Sequence, residues 1–137
     1  MGDSKYLAEV IKKFAPLNGL GIDPADNIKE IAEILLQNPD IICIQKENKG
    51  VILGIVYPLF YNTNILIAQE LGWWVEPEYR GTTISIKLLK EFEQEAKKRG
   101  VSKIIMICLE TQNPDGLKNI YERMDYKALE FSYVKES

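Results

Sequence analysis

Trp73-Trp74-Val75-Glu76-Pro77-Glu78-Tyr79-Arg80-Gly81-Thr82-Thr83-Ile84-Ser85 reads as a strand that ends, a short loop and a helix that begins. The apolar run Ile65–Val75 precedes it, and Pro77 cannot donate to a continuing ladder. From about Thr82 the spacing becomes helical, with Ile84, Leu88, Leu89, Phe92 and Ala96 on one face. Such a turn points several backbone N–H groups at one spot, together with the positive end of the helix dipole. That suits an anion such as a pyrophosphate. Arg80 can add a charge-assisted contact or brace the loop, and Gly81 lets the backbone approach a ligand closely. An Arg-Gly pair on its own is more often a plain solvated turn, so the rest of the chain has to decide.

Downstream, Lys97, Lys98 and Arg99 fill the last helical turn and Gly100 is a natural stop. Lys103–Leu109 is then almost continuously apolar, the pattern of a strand buried on both faces in a parallel pair. Ile65–Leu109 is therefore strand, helix, strand with a right-handed crossover. A short helix over Gly116–Met124 and a last strand over Ala128–Val134 follow. Upstream, Leu7, Val10, Ile11 and Phe14 recur at helical spacing behind a Ser4 cap, and a Gly- and Asn-rich loop spans Pro16–Pro24. Asn27-Ile28-Lys29-Glu30 resembles a capping box for a second helix carrying Ile28, Ile31, Ile34 and Leu35, which ends near Asn38-Pro39. Ile41–Gln45 and Val51–Phe60 are strands around a turn at Glu47–Gly50, and Tyr61–Asn64 joins the second of them to Ile65–Val75. The order is ααβββαβαβ, an α/β (α+β) chain in one domain over residues 1–137.

Composition narrows the function. The 137 residues are 46% apolar and 27% charged, a globular balance. The net charge of −3 argues against broad binding to nucleic acid, which needs many basic phosphate contacts. The absence of histidine removes Ser-His-Asp hydrolases, Cys-His proteases and most catalytic zinc sites. Cys43 and Cys108 each sit in an apolar run and read as buried free thiols; two cysteines at this spacing make no zinc site. No metal is expected. No apolar run approaches the ~20 residues of a membrane span, and the N-terminus carries no signal-peptide pattern, so a cytoplasmic protein with no membrane partner is expected.

Val75-Glu76-Pro77-Glu78-Tyr79-Arg80-Gly81 resembles the V-x-P-x-Y-R-G stretch of the GNAT (GCN5-related N-acetyltransferase) family, and Thr82–Leu89 resembles that family's acetyl-CoA loop and helix. Asn119-Ile120-Tyr121-Glu122-Arg123-Met124-Asp125-Tyr126 is similar to its L-Y-E-x-x-G-F/Y helix end. The resemblance runs from Val51 to Val134. It implies the GNAT fold, a mixed central sheet flanked by helices in which two neighbouring parallel strands splay apart to admit the pantetheine arm of acetyl-CoA. Carried over, those strands are Ile65–Val75 and Lys103–Leu109. Trp73, Trp74 and Val75 would hold the pantetheine and the thioester carbonyl. Backbone groups of Arg80, Gly81, Thr82, Thr83, Ile84 and Ser85 would hold the pyrophosphate. The family loop usually carries small residues where this chain has Thr83 and Ser85, and Gly where it has Asp125; the hydroxyls can themselves donate to phosphate.

An amine must lose a proton before attacking a thioester, and a carboxylate can take it. Glu70, five residues before Val75, is the candidate base. A regular strand puts it on one face with Leu66, Ala68, Gly72 and Trp74, where an apolar setting would raise its pKa. A bulge would bring Gln69 there instead, and an edge carboxylate in water is the plainer reading. Glu70→Gln is then expected to cost most at low pH. Tyr121 matches the family tyrosine that can protonate the departing thiolate, and it reads equally as a core tyrosine. One of Trp73 and Trp74 is core and the other a wall of the acceptor cleft, favouring an apolar acceptor. Glu76, Glu78 and Glu110 read as scattered surface charge, with an acidic cleft mouth as the alternative. The resemblance implies a small-molecule or peptide amine as acceptor. A non-catalytic module that binds a partner protein, and a homodimer, both stay open.

Overall fold

In the computed structural model the described residues are 2–107 and 114–137, excepting the side chains of 114 and 115. Helix α1 (Ser4–Phe14) runs into a single 3-10 turn at Ala15–Leu17, and α2 (Ile28–Gln37) follows. Three strands come next: β1 (Ile41–Lys46), β2 (Gly50–Leu59) and β3 (Asn62–Val75). Helix α3 (Ile84–Lys98), strand β4 (Val101–Ile105) and helix α4 (Pro114–Arg123) complete the elements. The sheet order is β1-β2-β3-β4, antiparallel except for the parallel pair β3–β4. This is the mixed, helix-flanked sheet expected from the strand–helix–strand reading.

Two apolar clusters sandwich the sheet. Leu7, Val10, Ile28 and Ala32 of α1 and α2 pack with Val51 and Trp74 on one face. Leu88, Leu89, Phe92 and Ala96 of α3 pack with Ile42, Ile52, Ala68 and Val75 on the other. The helical face read from the sequence is thus the buried one. Phe92 is fully buried over Gly54, where an added Cβ would lie 2.4 Å from the ring; only glycine admits the helix this close.

Local corrections are small and have clear causes. Asp3, not Ser4, caps α1, its carboxylate accepting from the Lys5 N–H at 2.9 Å. Asn27 makes no side-chain bond to the backbone of α2, its amide reaching Glu30 instead. Helix α3 begins at Ile84 because Thr82 is held in the loop by its hydroxyl bond to the Tyr79 carbonyl. β4 covers only Val101–Ile105, with Ser102 and Lys103 exposed, so it is not buried on both faces. The end of the expected strand at 108–109, with Cys108 and Glu110, lies outside the described residues.

The largest difference is at the C-terminus. Residues 128–134 alternate like a strand yet form none. Leu129, Phe131, Tyr133 and Val134 are each at least 70% exposed. A strand needs a ladder partner as well as a pattern, and here it has none among the described residues.

Candidate active site

Strands β3 and β4 run together and then part. Ala68 pairs with Ile104 and Gln69 with Ile105, after which the backbone ladder stops. At that point a side chain takes over: the Glu70 carboxylate accepts the Ile107 N–H at 3.1 Å. Against β2, Leu53 pairs with Gly72 and Gly54 with Glu70, leaving Leu71 as a bulge. The bulge reverses the alternation of β3. Ala68 belongs to the α3-side cluster, and beyond the bulge so do Trp73 and Val75, while Trp74 packs on the α1 side. Glu70 therefore does not share a regular face with Gly72 and Trp74, and Gln69 does not replace it. Gln69 instead accepts from the Tyr57 hydroxyl at 2.8 Å.

Ile107 is held from two sides. The Tyr121 hydroxyl of α4 donates to its carbonyl oxygen at 2.8 Å. Glu70 and Tyr121, 51 positions apart, so converge on one residue at the fork of the strands. The Tyr121 ring lies 6.1 Å from that of Trp73 and 5.5 Å from that of Tyr126. Asp125, where the family usually carries Gly, has φ of 67°, and the chain turns back so that the Tyr126 N–H donates to the Tyr121 carbonyl at 2.9 Å. Glu70 is only 7% exposed, and burial pushes its carboxyl up to about 7, with the Ile107 N–H pulling the other way.

Past the fork, no strand among the described residues pairs with β3 on its β4 side. Glu76 N–H donates to Lys49 C=O, so residues 74 and 76 face β2. The alternation of an antiparallel ladder turns the N–H and C=O of Trp73 and Val75 the other way, toward the departed β4. They border a cavity of about 400 Å³ whose walls include Glu70, Trp73, Trp74, Val75, Arg80 and Ser85. Five of the proposed ligand and cofactor residues thus meet Glu70 at one cavity. Gly81, Thr82, Thr83 and Ile84 lie in the adjoining loop and first turn and do not line it. Gly81 has φ of 81°, a backbone state that its lack of a Cβ permits. The first N–H groups of α3 have no intrahelical acceptor. One of them, at Ile84, donates to the Thr82 hydroxyl at 3.3 Å.

Tyr121 does not appear among the cavity walls, although it is bonded to one of them, Ile107. Five walls went unread in the sequence: Leu17, Ile107, Gly116, Leu117 and Ile120. Leu17 comes from the turn after α1, and no local pattern ties it to β3. Ile120 could have been found, since it directly precedes Tyr121 in a motif already singled out. Both tryptophans line the cavity, so neither is purely core. The Trp73 indole N–H is buried with no acceptor among the described residues. Glu76 is no mouth charge. It is 6% exposed and accepts from the Tyr6 hydroxyl at 2.7 Å and the Lys13 ammonium at 2.8 Å. Burial raises its pKa, but the Lys13, Tyr6 and Trp74 donors and the Lys13 charge together outweigh that and hold it below the ordinary range. Among the described residues no group of three metal-ligating side chains occurs, and no helix is long and apolar enough to cross a membrane.

The cavity fits acetyl-CoA in kind: a strand edge for an extended amide chain, then an arginine and a helix N-terminus for phosphate. Comparison with known structures gives the same architecture. A transcriptional regulator from Bacillus halodurans C-125 superposes with a TM-score of 0.78 at 17% identity, over 99% of this chain and 96% of that one. A ribosomal-protein-alanine N-acetyltransferase from Brucella melitensis biovar Abortus 2308 gives 0.73 at 20%, over 98% and 92%. A predicted acetyltransferase with acetyl-CoA from Clostridium acetobutylicum gives 0.67 at 20%, over 99% and 92%. At such identities the likeness establishes the fold alone. A search of curated proteins finds no match. The family model of the acetyltransferase (GNAT) family matches residues 8–126, spanning both the helices that flank the cavity and the strands that part to form it. The chain belongs to the acetyltransferase (GNAT) family.

Proposed function

We propose that the protein is an N-acetyltransferase that moves the acetyl group of acetyl-CoA to a primary amine. The observation that carries this reading is the joint hold of Glu70 and Tyr121 on Ile107 at the fork of β3 and β4. In this reading Glu70, itself a cavity wall, is the base, and Tyr121, one hydrogen bond behind the wall at Ile107, is the acid.

Acetyl-CoA supplies an activated acyl thioester. The chain's own residues do the rest. Trp73 and Val75 offer backbone groups along the β4-side edge of β3 to the pantetheine arm. Arg80, with the loop Gly81–Thr83 and the first turn at Ile84 and Ser85, meets the pyrophosphate. Glu70, with a pKa of about 7, holds or releases a proton near neutral pH and takes one from the incoming ammonium, directly or through water. The Tyr121 hydroxyl, whose oxygen lies 2.8 Å from the Ile107 carbonyl, gives a proton to the leaving sulfur. Bringing amine and thioester together in the cavity contributes independently of either residue.

The walls favour an amine on an apolar body. Leu17, Trp73, Leu117 and Ile120 are apolar, and Glu70 is the one carboxylate among the described walls. Glu76 is engaged by Lys13 and Tyr6 and cannot greet a second cation. The buried Trp73 N–H can donate to a carbonyl or hydroxyl of the ligand. The test is thiol release from acetyl-CoA across a set of amines that includes arylalkyl amines, peptides with apolar N-termini, polyamines and aminoglycosides. Acetyl-CoA-dependent acetylation of apolar monoamines is expected. Binding of acetyl-CoA without transfer to any amine would favour a non-catalytic module.

A further inference from the structure

Arg80 is exposed, yet its guanidinium is already engaged. Its Nε–H donates to the Val75 carbonyl oxygen at 2.9 Å, and its guanidinium sits 4.7 Å over the Trp74 ring. Both residues line the cavity, as Arg80 itself does. The Val75 carbonyl has no strand partner among the described residues. It faces the gap because the antiparallel alternation set by Glu76 N–H to Lys49 C=O turns it away from β2, and β4 has ended at Ile105. An extended pantetheine chain needs that acceptor for one of its amide N–H groups. One of that oxygen's two lone pairs already accepts a charge-assisted bond from the chain's own side chain, whose guanidinium, held over Trp74, crowds the approach to the other.

We propose that Arg80 is a carrier-selecting plug: it caps the Val75 carbonyl until a pyrophosphate draws it away. A ligand that brings a pyrophosphate offers the guanidinium a new anion close to the α3 N-terminus, where Ser85 lines the same cavity. The arginine then leaves Val75 and Trp74, and the strand edge opens. A ligand with the same acyl-pantetheine arm and no nucleotide must break the Arg80–Val75 bond and lift the guanidinium from Trp74 without that exchange. The site therefore distinguishes acyl-CoA from acyl-pantetheine at a residue that touches both ends of the cofactor path. This rests on the acetyl-CoA reading and goes beyond it, because it gives Arg80 opposite effects on two ligands sharing one arm.

The experiment is calorimetric binding of acetyl-CoA and of S-acetylpantetheine to the wild type, Arg80→Ala and Arg80→Met. Methionine keeps an apolar stem beside Trp74 while removing the charge and the donor. Melting curves confirm that each variant is folded. Both variants should bind acetyl-CoA roughly tenfold or more weakly. Both should bind S-acetylpantetheine about three- to tenfold more tightly than the wild type. Unchanged or weaker S-acetylpantetheine binding in both variants overturns the plug, as does a wild type that binds the two ligands equally well. A wild type that binds neither ligand brings down the acetyl-CoA reading itself, a different failure.

Discussion

The two halves of β3 have the same sheet neighbour on one side and opposite fates on the other. From Leu66 to Gln69 the strand is laddered to both β2 and β4, and Ala68 is fully buried. From Glu70 to Val75 it keeps β2 and loses β4. In the first half backbone meets backbone. In the second a carboxylate, an indole N–H and an arginine stand where a strand would have been. The closed half secures the fold and the open half presents chemistry, and the Leu71 bulge with Glu70 marks the border.

Substitution in the closed half should cost the most stability. Phe92 packs under it over Gly54, so Phe92→Ala should destabilise by about 3–5 kcal/mol, read by denaturant unfolding. A loss below about 1 kcal/mol would mean that α3 does not seal this end.

At the border the largest effect is on rate. Glu70→Gln should lower turnover by roughly 10²–10⁴ above pH 7. Wild-type turnover should climb with pH through about 7, where the buried carboxyl ionises. The difference between the two proteins should narrow as the pH falls, because Glu70 is then protonated and no better a base than glutamine. Burial thus reverses the low-pH expectation drawn from sequence. Stability follows the same pKa. Below the unfolded value near 4.5 both states hold the proton. Between there and about 7 the unfolded chain ionises while the fold retains its proton, so stability falls as pH rises. Glu70→Gln avoids that loss, on the order of 3 kcal/mol by pH 8, and should melt higher than the wild type there. Equal melting at pH 8 would show that Glu70 carries its charge without cost.

Tyr121→Phe sharpens the comparison from the other strand. Turnover should drop by about 10²-fold if it protonates the sulfur, with acetyl-CoA affinity little changed. A change in affinity alone would make the hydroxyl a support for Ile107. The smallest effect is expected at the unpaired end. Removing residues 128–137 should change stability by less than about 0.5 kcal/mol, since their side chains are exposed. A large loss would reveal that this segment finds a partner in solution.

The sequence shows the closed half well. The helical spacing of Leu88, Phe92 and Ala96 and the apolar run through Ala68 are local patterns, and local patterns survive into structure. The turn from Val75 to Ser85 is legible for the same reason. The border is not, because nothing in Gln69-Glu70-Leu71-Gly72 fixes which residue bulges, and the bulge decides which tryptophan shares the face of Ala68. Leu17 reaches the cavity only through the packing of α1. The alternation at 128–134 misleads because periodicity reports what a segment could pair with, and pairing depends on the rest of the sheet. Glu70 is the instructive case. Its position was readable, but its burial and its bond to Ile107 arise from two strands meeting.

The most direct test of the account is the amide exchange of Trp73 and Val75, followed by NMR as acetyl-CoA is added. Their N–H groups face the gap and should slow markedly when the pantetheine arm lies along the strand, while those of Trp74 and Glu76, turned toward β2, should change little. Acetyl-CoA that binds without slowing Trp73 and Val75, or that does not bind, would contradict the claim that the open half of β3 is the acyl-carrier site.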